Sequence, residues 1–171
     1  MVQFRSVITV SPAESGDAAA IAALLEDLGR FYGATESEPL DRRIGQINEA
    51  IFRSPPIAYA LLARDGDQVA GLAAYSFLWP AVGATRSLYL KELYVPEAYR
   101  RQGVGALLMR AIFETADTLG CSRVEWTTDA RNTAAQAFYA KLGLPAHPSK
   151  IFYRVEATGS GLGSIVPGRA S

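Results

Sequence analysis

Between a strand-like run, LYLKELYV (Leu88 to Val95), and a helix-like run, the chain places Arg100-Arg101-Gln102-Gly103-Val104-Gly105. Downstream, Val104, Leu107, Leu108, Ala111 and Ile112 recur at helical spacing, so an amphipathic helix opens on the glycine turn. The first turn of a helix presents unpaired backbone N–H groups, and its dipole favours negative charge there. Glycine lets a phosphate approach the backbone closely, and neighbouring arginines add charge-assisted hydrogen bonds. The turn therefore demands a strand–turn–helix unit and predicts a ligand carrying a pyrophosphate.

Other elements follow from periodicity and turn chemistry. Phe4 to Val10 reads as a first strand, and Asp17 after the Ser11–Gly16 turn is the expected N-cap of a helix. Ile21, Leu24, Leu25, Leu28 and Phe31 mark that helix, which closes near Gly33. Leu40 to Phe52 reads as a second helix with Ile44, Ile47 and Ile51 on one face, stopped by Pro55-Pro56. Ile57 to Ala63 and Gln68 to Leu78 read as strands joined by a hairpin at Arg64-Asp65-Gly66-Asp67. Thr85 to Val95 is a further strand, followed by the glycine turn and a helix to about Leu119, with Gly120 as its stop. Arg123 to Thr128 is a strand, Asn132 to Leu142 a helix closed by Gly143, and Ile151 to Val155 a last strand.

The resulting order is β-α-α-β-β-β-α-β-α-β, of the α/β class with a mixed sheet. Consecutive strands give an antiparallel part, and the strand–helix–strand units give a parallel part. The sheet is expected to splay near Leu88–Val95, and that splay is the expected ligand crevice. With 171 residues the chain suits one domain, taken as 1–156. Residues 157–171 are Gly- and Ser-rich and read as a mobile tail.

Composition narrows the chemistry. Lys and Arg (17) balance Asp and Glu (17), which argues against nonspecific nucleic-acid binding. A single cysteine, Cys121, rules out an intramolecular disulfide, and with a single histidine, His147, no metal centre is expected and a Ser-His-Asp triad is disfavoured. Cys121 is expected to be buried, and His147 to sit in an exposed Pro-flanked loop. No apolar run reaches a membrane span and no secretory pattern opens the chain, so a cytoplasmic protein without membrane partners is expected. A Rossmann fingerprint requires a third glycine where Leu108 stands, and a Walker loop requires Gly-Lys-Ser/Thr, which is absent.

Two segments carry a family resemblance. YLKELYVPEAYRRQGVGALLM, in which Arg100, Gly103 and Gly105 fit the pattern Arg/Gln-x-x-Gly-x-Gly/Ala, resembles the acetyl-CoA-binding core of the GCN5-related N-acetyltransferase (GNAT) family. Asn132 to Gly143, ending in FYAKLG, resembles that family's later cofactor helix. The resemblance spans roughly residues 4 to 155 and is nearest to diamine and thialysine acetyltransferase-like members. Those commonly read LYLED where this chain has LYLKE, so Lys91 replaces the first carboxylate and Glu92 remains. That change weighs against a polyamine.

The resemblance implies an enzyme that moves acetyl from acetyl-CoA to a primary amine by direct attack in a ternary complex. A polyamine, an amino acid and an amine antibiotic are the small-molecule candidates, and a protein N-terminus or lysine is an alternative. A non-catalytic acyl-CoA-binding module is the rival reading, and a homodimer is implied as a partner state. Glu92 is the candidate base, against an ordinary carboxylate paired with Lys or Arg; strand alternation puts Lys91 on the opposite face. Tyr139 is the candidate acid for the leaving thiolate, against a core aromatic beside Phe138. Arg100, Arg101, Gln102, Gly103, Val104 and Gly105 are expected to cradle the pyrophosphate. Backbone groups of Leu93, Tyr94 and Val95 are expected to pair with the pantetheine arm, with Val95 N–H as oxyanion donor. Asn132 is read as an N-cap, a cofactor contact or both, and Tyr139 also counts as a cofactor contact. Tyr32, Tyr75, Phe77, Trp79, Trp126 and Thr128 are the aromatic and polar candidates for the acceptor wall, or simply core.

Overall fold

The computed structural model describes residues 7–157 and Leu162. They fall into two compact units, one ending at Asp129 and one beginning at Ala130. The first holds a five-stranded sheet in the order β1 (Thr9–Pro12), β2 (Tyr59–Asp65), β3 (Gln68–Leu78), β4 (Ser87–Tyr94), β5 (Arg123–Trp126). The first three pairings are antiparallel and the β4–β5 pairing is parallel, the mixed sheet expected from the element order. β1 starts later than the sequence suggests, and the predicted part at Phe4–Ser6 lies outside the described residues.

Helices α1 (Ala18–Phe31) and α2 (Leu40–Ile47) cover one face of the sheet. α2 widens into a π-helical turn over Asn48–Phe52, so the helical stretch ends where the sequence predicts. Ile21, Leu24, Leu28 and Ile47 pack there on Ala60, Leu62, Leu72 and Tyr94. Asp17 does precede α1, but its side chain does not cap the helix. It accepts from Glu14 N–H and from Arg64, each at 2.7 Å, and so ties the start of α1 to β2. Burial pushes the Asp17 carboxyl up, but the Glu14 N–H and the Arg64 guanidinium outweigh it and hold the acid below its ordinary value.

Helix α3 (Val104–Thr118) covers the opposite face through Val104, Leu108, Met109, Ile112 and Ala116. Its close approach needs Gly71. A Cβ there would meet Leu108 Cδ1 at 3.0 Å, Tyr94 O at 3.1 Å and Val104 Cγ1 at 3.1 Å. Gly120, with φ +67°, closes α3 as expected, and Cys121 N–H reaches back to Ala116 O at 2.8 Å. Cys121 itself is half-buried rather than fully buried.

The second unit carries α4 (Thr133–Lys141). Ile151 to Val155, predicted as a strand, is irregular and exposed. A run of β-branched and aromatic residues does not make a strand without a hydrogen-bonding neighbour, and the second unit has no strand among its described residues. Phe152 instead stacks under its own near neighbour Arg154, 5.0 Å from ring centroid to guanidinium. The predicted tail, 157–171, lies outside the described residues except for Ala157 and Leu162.

Candidate active site

Strand β4 carries a bulge that organises the site. Ala74 pairs with Glu92 and Tyr75 with Leu90, leaving Lys91 as the extra residue. A bulge bends its strand and increases the local twist. The parallel ladder to β5 stops at the same point, with Leu90 and Trp126 as its last pair. From Lys91 to Tyr94, β4 keeps β3 on one edge, while no strand among the described residues covers the other. The parallel ladder thus ends within the segment where the splay is expected, at the residue where β4 bulges against β3.

The bulge also sets which face each side chain takes. Leu72 and Tyr94 are cross-strand partners in the core under α1, and Ala74 packs on that same cluster. Glu92, opposite Ala74, therefore lies on the α1 side of the sheet. Lys91 lies there too, against the alternation expected from an unbroken strand. Lys91 Nζ donates to Glu92 Oε1 at 2.9 Å, with the two side chains 62% and 29% exposed. Simple alternation failed because two successive residues of a bulged strand share one position of the partner.

Beyond β4, Glu97–Tyr99 form a short 3₁₀ turn, after which Arg101 and Gly103 both take left-handed backbone conformations, φ +61° and +84°. A non-glycine residue in that region is uncommon and carries strain of about 1–2 kcal/mol. Left-handed residues within a tight turn bring successive N–H groups toward one side, the arrangement on which anion-binding concavities are built. Gly103 supplies no side-chain cap to α3, and the first turn of α3 contains no carboxylate, so neither the cap position nor the first turn neutralises this helix end.

Three side chains of the turn have distinct jobs. Gln102 folds back, its amide donating to Ala98 O at 2.7 Å. Arg100 Nε donates to Val95 O at 3.0 Å while its guanidinium lies 5.3 Å from the Phe31 ring centroid. That bond engages the Val95 carbonyl inside the chain. Arg100 thus ties the end of β4 to the C-terminal end of α1, a structural role that sequence reading missed because Phe31 is remote in the chain. Arg101 is exposed.

The proposed acceptor residues do not form one wall. Tyr75 is 7% exposed and stacks on Tyr59 with centroids 5.3 Å apart, and Phe77 meets both rings edge-on. Burial, then the neighbouring Tyr59 and Cys121, raise the Tyr75 phenol above its usual value, so it stays protonated. Tyr75 pairs with Leu90 and Trp126 also pairs with Leu90, so both face α3, where Trp126 lies 6.5 Å from Phe113. Tyr75, Phe77 and Trp126 are thus on the opposite face of the sheet from Glu92, as packing residues. Trp79 is exposed at the β3–β4 turn and donates its indole N–H to Ala84 O at 2.9 Å. Thr128 lies two residues past the end of β5 and is exposed. Tyr32 alone among the six stands at the C-terminus of α1, half exposed and edge-on to Phe31, which in turn carries Arg100. Tyr89, not considered from sequence, lies on the Glu92 face and meets Thr127 Oγ1 at 3.3 Å.

A cavity of about 310 Å³ beside α1 is lined by Glu26, Arg30, Ser37, Glu38 and Arg43 among others. Glu26 and Arg43 at its centre already hold one another. Glu26 accepts from Arg43 and Ser37 at 3.0 Å each, and these bonds, Ser37 first, hold its carboxyl below the ordinary value. This cluster pins the α1–α2 connection.

In the second unit, Asn132 Oδ1 accepts from Ala135 N–H at 3.0 Å, the predicted helix cap. Tyr139 is half-buried on α4, edge-on to Phe138 at 5.1 Å, and Leu144 N–H bonds its carbonyl at 3.0 Å. His147 is exposed and bonds Ser149 through Nδ1 at 2.9 Å.

The profile of the Acetyltransferase (GNAT) family matches residues 21–144. The chain belongs to this family. It is therefore an acyltransferase, and the family's cosubstrate is acetyl-CoA. It is similar to a D-amino-acid N-acetyltransferase of Saccharomyces cerevisiae, 33% identical over 131 residues that cover 74% of this chain and 80% of that one. A thialysine N-epsilon-acetyltransferase of Bos taurus is 26% identical over 148 residues, covering 80% and 83% of the two chains. The fold is shared with an integron cassette protein from the mobile metagenome of V. cholerae, at a TM-score of 0.80 and 24% identity over 90% of this chain and 94% of that one. No helix among the described residues is long and apolar enough to cross a membrane.

Proposed function

We propose that this protein transfers the acetyl group of acetyl-CoA to a primary amine of a small molecule, by direct attack within a ternary complex. The acceptor classes are polyamine, amino acid and amine antibiotic, and the two relatives above are named for amino-acid substrates. The observation that carries this reading is the juxtaposition in β4 and α3. A strand edge left uncovered beyond a bulge runs into a left-handed turn at an uncapped helix N-terminus.

In this reading the amides of residues 101–105 hold the pyrophosphate, with Arg101 adding its charge and Arg100 fixing the turn. The uncovered edge of Leu93, Tyr94 and Val95 takes the pantetheine arm as another strand would, and Val95 N–H donates to the thioester oxygen. An alkyl ammonium, with a pKa of about 10.4, must lose a proton before it attacks. Glu92 takes that proton, directly or through water. The amine nitrogen bonds to the thioester carbon, the C–S bond breaks, and the thiolate receives a proton. The FYAKLG context alone assigns that donation to Tyr139, and the same context makes Asn132 a cosubstrate contact besides its capping role.

Two measurements test the proposal. Calorimetry is expected to show CoA binding, and a thiol-release assay with acetyl-CoA is expected to depend on an added amine. Tyr139→Phe is expected to lower kcat by about 10²-fold, the scale of a lost general acid. Tight CoA binding with no turnover on any amine would instead establish a non-catalytic binding module, and turnover only on peptides would move the acceptor to protein amines.

A further inference from the structure

We propose that Lys91 is a specificity-determining residue that selects an acceptor bearing a carboxylate beside its amine, an amino acid rather than a polycation. The inference deepens the function above and rests on its reading of Glu92 as the base that takes the acceptor's proton. The sheet face that carries Glu92 also shows Lys91, with Arg123 and Glu125 on β5 next to it. Its two carboxylates each have a cation of the chain at hand: Lys91 at 2.9 Å from Glu92 and Arg123 at 3.7 Å from Glu125. The four side chains sum to zero charge, so this face offers a polyamine no acidic surplus.

A zwitterion fits the same pair by exchange. Its carboxylate replaces Glu92 as the partner of Lys91, and its ammonium replaces Lys91 as the partner of Glu92. Every charge remains paired throughout, so no ion is left unmatched. The exchange also leaves Glu92 bonded to the very proton that must leave. A diamine can meet Glu92 only by displacing Lys91 and leaving that cation beside its own. The bulge is what makes this possible, because in an unbroken strand Lys91 and Glu92 would point to opposite faces. Lys91 is largely exposed, so its removal does not disturb packing.

Ornithine and putrescine differ only in the carboxylate and therefore isolate its contribution. Steady-state kinetics of the full chain at saturating acetyl-CoA are expected to give a higher kcat/KM for ornithine. Lys91→Glu exchanges one attraction for one repulsion at a half-exposed site, and is expected to move the ornithine-to-putrescine ratio toward putrescine by about tenfold. The change should appear in KM rather than kcat, and Lys91→Arg should keep the wild-type preference. A wild type that prefers putrescine, or that acetylates other amines but neither of these, overturns the inference. So does a ratio that Lys91→Glu leaves unmoved while both amines are still acetylated. Absence of thiol release with every amine, despite CoA binding, overturns the enzymatic reading and this inference with it.

Discussion

From Ser87 to Leu90, β4 has β3 on one edge and β5 on the other, and Leu88 and Leu90 are 0% and 2% exposed. From Lys91 to Tyr94 the same strand has β3 alone among the described strands, and its first two residues are charged and accessible to solvent. The halves meet at the bulged residue. The first half holds the sheet together; the second, in the proposed function, offers backbone and charge to a ligand. A strand edge bordering solvent is a liability that proteins usually blunt or cover. Here the bulge confines it to four residues and puts an ion pair at its start. If the proposed function holds, stability and ligand binding belong to adjacent segments of one strand, and substitutions should separate them.

The largest separation is expected from Leu88→Ala. It removes a fully buried side chain from the doubly flanked half and should lower unfolding free energy by about 2–5 kcal/mol in a denaturant titration. The KM for acetyl-CoA of the folded fraction should stay unchanged; an altered KM would show that the halves are not separable. The converse variant is Glu92→Gln, whose denaturation midpoint should barely move while kcat falls by about 10²-fold or more, equivalent to roughly 2.7 kcal/mol of barrier. Its pH optimum should move upward, because more of the amine must then lose its proton in bulk solvent. An unaltered pH profile removes Glu92 as the base.

Gly71→Ala probes how α3 is seated against the second half. Its Cβ would crowd Leu108, Val104 and the Tyr94 carbonyl, which calls for about 1–3 kcal/mol of overpacking strain. Because Val104 opens α3 beside the glycine turn, CoA affinity measured by calorimetry should weaken along with stability; loss of stability alone would mean that the turn moves independently of the helix. The smallest effect belongs to Asp17, far along the chain from β4. Its folded-state acid is stronger than the ordinary value of 3.8, so the carboxylate's contribution is complete above that pH and fades as pH falls through the lower folded value. Asp17→Asn should cost about 1 kcal/mol at neutral pH, lose that difference in strongly acidic buffer, and leave CoA affinity alone.

Much of this was legible in the residues. The helices at Ala18–Phe31 and Val104–Thr118 follow the apolar spacing of Ile21, Leu24 and Leu28 and of Val104, Leu108 and Ile112, and Gly120 stops α3 where a left-handed residue is needed. The antiparallel part and the parallel strand followed from the presence or absence of a helix between strands. The differences between the sequence reading and the structure share one origin. Ile151–Val155 has the β-branched and aromatic residues of a strand, but its unit has no other strand among the described residues. Tyr75, Phe77 and Trp126 have the composition of a cation site but face α3, and Lys91 has the parity of the far side but stands with Glu92. Each depends on what lies across a pairing, and a one-dimensional pattern contains no record of the partner strand's register.

The sequence by itself determined the glycine turn with its flanking strand and helix, and with them the amides proposed to bind the pyrophosphate. Those features rest on backbone freedom at Gly103 and on apolar spacing within a few residues, all local properties. Only the tertiary structure decided that β5 stops at Trp126, that Lys91 and Glu92 share a face, and that Arg100 ties Val95 to Phe31. The reason is that a bulge exists only between two strands: it takes one residue more on one side of a ladder than on the other, and that count is made when the strands pair.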